Sequence, residues 1–281
     1  MPRILVTGAT GNVGSEVLAQ LRGRGVGAVA GVHSLEDAGE GLTPAAKVDF
    51  ESGEGPAGPF DAIFLVRPPS LTDPDLFAKF LEQYDRKTLV VFLSVQGADT
   101  KTYLPHARIE QVIRRMGFPH VFVRPTYFMD NVVTALWPDL ERENLIYLPA
   151  GDLKFQWISA RDVAAMAIAG LLGEVNGSAL AAAGDEFCGF AEACAKVNAA
   201  VGTSIAYRAA SLPGFLIHSK ARGQPWSYIF VMLLLHYLPR FSGDNERVES
   251  DFERATGRQP ETLEAFAKRN ASKFDQLKAQ N

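Results

Sequence analysis

The stretch Thr7-Gly8-Ala9-Thr10-Gly11-Asn12-Val13-Gly14 decides the fold. It follows Arg3-Ile4-Leu5-Val6-Thr7, an aliphatic and β-branched run that reads as a buried strand. It leads into Val13, Val17, Leu18 and Leu21, whose spacing is helical, with Gly23 and Gly25 closing the segment. Strand, glycine turn and helix in that order are what a dinucleotide fold requires. Gly8 permits the tight turn off the strand, Gly11 lets the backbone approach a pyrophosphate, and Gly14 lets the helix pack closely on the sheet. The helix N-terminus offers free N–H groups and the positive end of its dipole to phosphate. The spacing is G-x-x-G-x-x-G rather than G-x-G-x-x-G. Such a triplet is weak alone and gains its force from standing directly after the first strand. Gly8, Thr10, Gly11, Asn12, Val13 and Gly14 are therefore the first candidate cofactor contacts.

Outward from this turn the same alternation continues. Ala28–Val32, Lys47–Phe50, Ala62–Val66, Thr88–Ser94 and His120–Val123 read as strands, with helices over Leu76–Tyr84 and Ile109–Met116. Alternating strands and helices imply βαβ units, a parallel sheet covered on both faces and right-handed crossovers. The second half is less regular. A helix starts near Asp162, Gly177–Ala183 and Ile205–Ala210 read as strands, and Phe190–Val201 as a helix. Pro213, Pro225 and Pro239 punctuate an aromatic and aliphatic segment that is either a lid or core, and Arg247–Lys273 is charged and helical. The expected fold is α/β, a Rossmann-type doubly wound parallel sheet with a small interleaved C-terminal cap. Residues 1–125 plus 152–184 would form the core, and 126–151 plus 185–281 the cap.

Composition closes several doors. The chain has 281 residues, a net charge of −4, 47% hydrophobic and 21% charged residues. That balance excludes disorder and gives no electrostatic footprint for nucleic acid or an anionic membrane. Cys188 and Cys194 are too few for a disulfide scaffold, which points to a reducing compartment. The apolar run from Tyr228 to Leu235 is far shorter than the ~20 residues of a membrane span. No signal-peptide pattern precedes Ile4. A cytoplasmic protein is expected. The histidines at 33, 106, 120, 218 and 236 show no metal-ligand spacing with the cysteines, and no G-x-S-x-G nucleophile elbow occurs, so no metal site is expected.

The end of the second strand reports cofactor choice. An acid there would bind the ribose 2′-hydroxyl of NAD. Here the strand ends Ala30-Gly31-Val32-His33-Ser34, and His33 and Ser34 can both donate to a 2′-phosphate. NADP(H) is thus expected over NAD(H), although Glu36 and Asp37 stand close behind. Asp49, with Phe50 beside it, ends the third strand, where a carboxylate either accepts from the adenine amino group or closes a turn.

With these motifs in place, the chain resembles the NmrA-like branch of the atypical short-chain dehydrogenases/reductases. It is most similar there to the type 2 quinone oxidoreductases and the flavin-free NADPH azoreductases. The resemblance rests on Thr7–Gly14, Phe64-Leu65-Val66-Arg67-Pro68-Pro69, Arg124-Pro125-Thr126-Tyr127-Phe128-Met129-Asp130-Asn131, Trp157-Ile158-Ser159-Ala160-Arg161-Asp162-Val163-Ala164 and Thr256-Gly257-Arg258-Gln259-Pro260. It implies that Val66, Arg67 and Pro68 line the cofactor, that Ser94, Val95 and Gln96 lie near the nicotinamide ribose, and that Phe128 and Asn131 border nicotinamide and substrate. The departure is the Tyr-x-x-x-Lys pair of typical members, where tyrosine is the acid and lysine holds the ribose. Aligned on Glu110, the lysine position falls on His106 and the tyrosine position on Thr102, next to Tyr103. Histidine titrates near neutrality, so His106 either holds the ribose, protonates a reduced product, or is a solvated residue at a helix start. Tyr103 and Tyr127 are the other candidate acids.

The activity implied is hydride transfer from NADPH, without a flavin, to an electron-poor azo compound, quinone or imine. Such acceptors need little acid help. Phe128, Asn131, Phe215, Trp226 and Phe230 are the candidate contacts to a small aromatic or conjugated substrate. The alternative is an NADP(H)-binding redox sensor of the NmrA type, without turnover. A monomer or homodimer is expected.

Overall fold

The aliphatic runs do become strands. In the computed structural model, which describes residues 2–39, 42, 44–175, 177–242 and 246–278, they are, in chain order, β1 (Ile4–Thr7), β2 (Ala28–Val32), β3 (Ala45–Lys47), β4 (Ala62–Val66), β5 (Leu89–Leu93), β6 (His120–Pro125), β7 (Tyr127–Phe128), β8 (Leu145–Leu148), β9 (Lys154–Ile158), β10 (Ala179–Ala182), β11 (Phe187–Gly189) and β12 (Ala206–Ala209). The helices are α1 (Asn12–Gly23), α2 (Pro74–Leu81), α3 (Pro105–Arg115), α4 (Trp137–Glu143), α5 (Ala160–Leu171), α6 (Phe190–Val201), α7 (Leu212–Ala221), α8 (Trp226–His236), α9 (Pro239–Ser242), α10 (Phe252–Thr256), α11 (Leu263–Arg269) and α12 (Ala271–Lys278). The chain divides into two compact units.

The first unit comprises Met1–Thr126, Ala160–Ala183 and Ser250–Pro260. Its sheet has the order β10-β6-β5-β4-β1-β2-β3, with every neighbouring pair parallel. This is the expected mainly parallel α/β sheet of a Rossmann-like fold. A parallel sheet is covered on both faces, which is why Ile4, Leu5 and Val6, and Ile63, Phe64 and Leu65, are all wholly buried without alternation. Helices α1 and α5 pack together, as do α2 and α3. From β1 the order runs to β2 and β3 on one side and to β4, β5 and β6 on the other, so β1 and β4 flank the topological switch point.

The third strand ends earlier than its residues suggest. It covers Ala45–Lys47, not Lys47–Phe50, because the Asp49 carboxylate accepts from the N–H groups of Glu51 (2.9 Å) and Ser52 (3.3 Å) and turns the chain. The unit boundaries also differ from the expected ones. Residues 152–159 fall in the second unit, where β9 pairs with β7 and β11. Residues 250–260 return to the first, where Arg258 donates to the buried Asp162 at 2.6 Å.

The second unit comprises Tyr127–Ser159, Gly184–Glu249 and Glu261–Asn281. A three-stranded sheet, β11-β9-β7, and a two-stranded one, β12-β8, share a core that includes Trp157, Phe190, Phe155, Leu263 and Phe266. The Ser211–Arg240 segment resolves into α7 and α8, separated at Gly223-Gln224-Pro225. Helix α8 buries Ile229, Met232 and His236, whereas Trp226 and Phe230 are 64% and 66% exposed, so the segment is neither wholly core nor wholly surface. Among the described residues no helix is long and apolar enough to cross a membrane.

Candidate cofactor-binding site

The glycine turn is built by close contacts. Gly8 has φ +62°, and a Cβ there would stand 3.0 Å from the Val66 Cβ. A Cβ on Gly14 would meet the Gly8 carbonyl oxygen at 2.1 Å. The Thr7 hydroxyl donates to the Phe64 carbonyl at 3.1 Å and accepts from the Val66 N–H at 2.8 Å, so one side chain joins the ends of β1 and β4. Gly11 is the N-cap of α1 and supplies no side-chain cap, and the first turn of α1 carries no acid. The helix therefore presents uncapped N–H groups at its positive end beside exposed Thr10, Gly11 and Asn12, while Val13 is buried beneath them. A phosphate group fits such a cradle.

At the end of β2, His33 is exposed. Ser34 caps the short turn Leu35–Ala38, its hydroxyl accepting from the Glu36 N–H at 3.3 Å, so its hydroxyl proton remains to be donated. Asp49 spends one carboxylate oxygen on its own turn. The Phe50 ring is not available to a cofactor. It is 6% exposed and lies 4.8 Å from the rings of both Phe77 and Phe80. The turn at Asp49 points the Phe50 ring into the core of the first unit.

Beyond β4 and β5 the sheet carries a polar cluster. Arg67 Nε donates to His106 Nε2 at 3.4 Å, and Nη1 donates to the carbonyls of Pro68, Pro69 and Leu71. Burial, and then the Arg67 charge, push the His106 pKa down to about 4. His106 is thus neutral and accepting at physiological pH, contrary to the expectation that it titrates near neutrality. Ser94 is buried and its hydroxyl donates to Glu110 Oε1 at 2.6 Å. Val95 and Gln96 follow, half-buried, with the Gln96 N–H on the Pro125 carbonyl. Glu110 is wholly buried and also receives Arg124 in a two-pronged contact (2.9 and 2.7 Å) and Arg114 at 3.1 Å. The sequence reading gave Glu110 no role beyond alignment. Its i,i+4 spacing to Arg114 was a visible signal, but its pairing with Arg124 depends on the sheet.

The remaining candidates separate. Tyr103 is 63% exposed. In the second unit, Tyr127 sits among the rings of Phe155, Trp157 and Phe190, and its hydroxyl meets His236 Nε2 at 2.9 Å. The His236 Nδ1 faces the Met232 carbonyl at 2.9 Å, which can only accept, so Nδ1 carries the proton and Nε2 takes that of Tyr127. Burial raises the Tyr127 pKa above its ordinary value and lowers that of His236 to about 4. A tyrosine so committed is a poor acid, which corrects its candidacy. Phe128 and Asn131 are half-buried, whereas Phe215 is packed in the core of its unit. Cys188 and Cys194 are free and buried, and burial raises their pKa values to about 11 and about 12. Among the described residues no three acids, histidines or cysteines gather to hold a metal.

Sheet order and glycine turn together define a Rossmann-like α/β fold. No family profile matches the chain. It is 29% identical over 287 aligned positions to an NAD(P)H azoreductase of Xenophilus azovorans, an alignment covering 96% of this chain and 99% of that one. Its fold is shared with a triphenylmethane reductase of Citrobacter solved with NADP(H) (TM-score 0.77, 18% identity, 95% and 99% covered). It is shared equally with an NADPH-bound quinone oxidoreductase of Escherichia coli (TM-score 0.75, 19% identity, 95% and 99% covered). The chain is thus similar over nearly its whole length to an NAD(P)H azoreductase and shares the fold of these reductases.

Proposed function

We infer that the protein is an NAD(P)H-dependent reductase whose acceptor is a small, electron-poor conjugated molecule, an azo compound, quinone or imine. The observation that carries this reading is the uncapped N-terminus of α1, pressed against β1 by the contact between Gly14 and Gly8. The relatives named azoreductase and quinone oxidoreductase support it. The bound nicotinamide would supply the hydride.

The chain's own residues would bind and orient. The turn from Gly8 to Gly14 would take the pyrophosphate, with Thr10, Asn12 and Val13 lining it. His33 and Ser34 lie where a 2′-phosphate would need donors, which favours NADP(H) over NAD(H). Val66, Arg67, Pro68, Ser94, Val95, Gln96 and His106 stand at the exits of β4 and β5 and the start of α3, where open α/β sheets bind ligands. Phe128, Asn131, Trp226 and Phe230 would meet a flat substrate. Neither Tyr127 nor His106 holds a proton ready for transfer at neutral pH, so the acceptor's proton would come from water. That suits acceptors that form stabilised anions and needs no flavin. A cytoplasmic setting follows from the same reading.

The missing acid also favours a second reading, a redox sensor that binds the cofactor without turnover. Steady-state consumption of NADPH against a panel of quinones and azo dyes decides between them. Acceptor-dependent loss of the reduced-nicotinamide absorbance is expected. Tight NADPH binding with no consumption across the panel would leave the sensor.

A further inference from the structure

We propose that the outward face of α8 and α9 docks on an anionic lipid bilayer, as a peripheral contact and not a span. The proposal goes beyond the reductase reading: Trp226 and Phe230 would meet an apolar acceptor where it dissolves, in the lipid.

The surroundings of α8 do not match its composition. From Trp226 to Leu235 every residue but Ser227 is aliphatic, aromatic or methionine. A helix that is apolar all round belongs in a core or a membrane, yet α8 buries one side only, through Ile229, Met232 and His236. On the other side Trp226, Phe230, Val231, Leu234 and Leu235 are exposed, and their helical spacing puts them on one face. Leu238 and Phe241 continue that face onto α9, with Phe241 71% exposed. A contiguous apolar patch of this kind marks an interaction surface.

Charge says what the surface meets. The chain carries a net −4, but Ser211 to Phe241 holds Lys220, Arg222 and Arg240 and no acid. Arg222 is neutralised by Asp139, at 3.6 Å, and by Glu143. Lys220 and Arg240 are not. They donate to the main-chain carbonyls of Gln224 and Pro149 and meet no described carboxylate. Both stand on the apolar face, one at each end. The Lys220 ammonium lies 4.9 Å above the Trp226 ring, and the Arg240 guanidinium lies 6.0 Å from the Phe241 ring.

These cations decide between a second copy and lipid. A two-fold contact would set each end of the face against its own copy or against the other end. Either way cation meets cation with no acid on the face to offset it, which opposes pairing. An anionic bilayer complements both ends. Trp, Phe and Leu on one helix face with Lys and Arg at its rim is the pattern of a helix lying in the membrane interface. The long basic side chains can reach headgroups while the apolar ones enter the lipid. At 11 residues α8 is too short to cross.

The test is co-sedimentation of the full chain with vesicles, without cofactor or acceptor. One set is phosphatidylcholine alone, and the other is two parts phosphatidylcholine to one part phosphatidylglycerol. Wild type should bind the anionic vesicles roughly ten- to thirtyfold more tightly than the neutral ones. Lys220→Gln with Arg240→Gln should bring the anionic value down to the neutral one. Leu234→Gln with Leu238→Gln should weaken binding to the anionic vesicles about tenfold. All four side chains face solvent, so thermal unfolding should match wild type; the wild-type comparison of the two vesicle sets carries the test if a variant does not fold. No sedimentation, or equal sedimentation with both vesicle sets, would overturn the proposal. So would a dimer by light scattering that ignores vesicles and dissociates in the leucine variant, which would make the face a contact between copies. Turnover without vesicle binding would sink this proposal alone, and vesicle binding without turnover would sink the reductase reading alone.

Discussion

The backbone of Gly14 passes so close to Gly8 that a side-chain carbon on Gly14 would stand 2.1 Å from the Gly8 carbonyl oxygen. No relaxation of a side chain can relieve that contact, because both partners are backbone. The first turn of α1 must move away from β1 if residue 14 is anything but glycine. Gly14→Ala should therefore destabilise the fold by about 2–3 kcal/mol and abolish measurable NADPH binding. Thermal unfolding and cofactor titration of the variant check both halves. A variant that binds NADPH normally would show that the turn does not hold the phosphates.

Glu110 is a buried carboxylate shared by Ser94, Arg114 and Arg124. Glu110→Gln keeps the shape and removes the charge, leaving the largely buried Arg124 without its main counter-ion. A loss of about 3–5 kcal/mol is expected, read from urea denaturation. Because Ser94 directly follows β5 and precedes Val95 and Gln96, cofactor affinity should fall with it.

Tyr127 and His236 form a hydrogen-bonded pair inside an aromatic cluster. Tyr127→Phe should cost about 1–2 kcal/mol, since it strands the His236 Nε2 acceptor in an apolar surround. Turnover measured at saturating acceptor should remain within about twofold, well under the 10²–10⁴-fold contribution of a general acid. A loss of turnover on that larger scale, without loss of stability, would restore Tyr127 as an acid.

His106 and His236 both have folded pKa values pushed down to about 4, below the ordinary 6.5. Between those values the unfolded chain binds the proton and the folded chain does not. Stability is then full above pH 6.5 and falls as the pH drops toward 4, by up to about 1.4 kcal/mol per pH unit for each histidine. Unfolding free energies at pH 7.5, 6 and 5 should show the decline, and His236→Gln should flatten it. A flat profile in the wild type would mean that both imidazoles are more accessible than their surroundings suggest.

The first unit was legible because its signals are local. The β1 run, the three glycines and the helical spacing after them lie within consecutive residues, and the sheet followed from their repetition. The glycine turn itself is equally local, since its three glycines lie within seven consecutive residues. What escaped lies across long separations. The two-residue β7 is a strand only because β9 pairs with it some 30 residues later, and no periodicity marks it. The Tyr127 and His236 pair spans 109 positions, and Arg67 reaches His106 across 39. Ring burial misled at Phe50 and Phe215, since an aromatic residue beside a candidate site reads the same whether it faces the ligand or the core. His106 misled because its ordinary pKa was assumed where burial sets another.

The central claim is hydride transfer from NADPH by a chain that needs no flavin. Its most direct measurement is an anaerobic single turnover. Purified protein, its visible spectrum checked for bound flavin, is loaded with one equivalent of NADPH and mixed with excess quinone or azo dye. The account predicts loss of the reduced-nicotinamide band in step with acceptor reduction, slowed by deuterium at the transferred C4 position and with no flavin band changing. Persistence of NADPH in the loaded protein, against every acceptor tried, would contradict it.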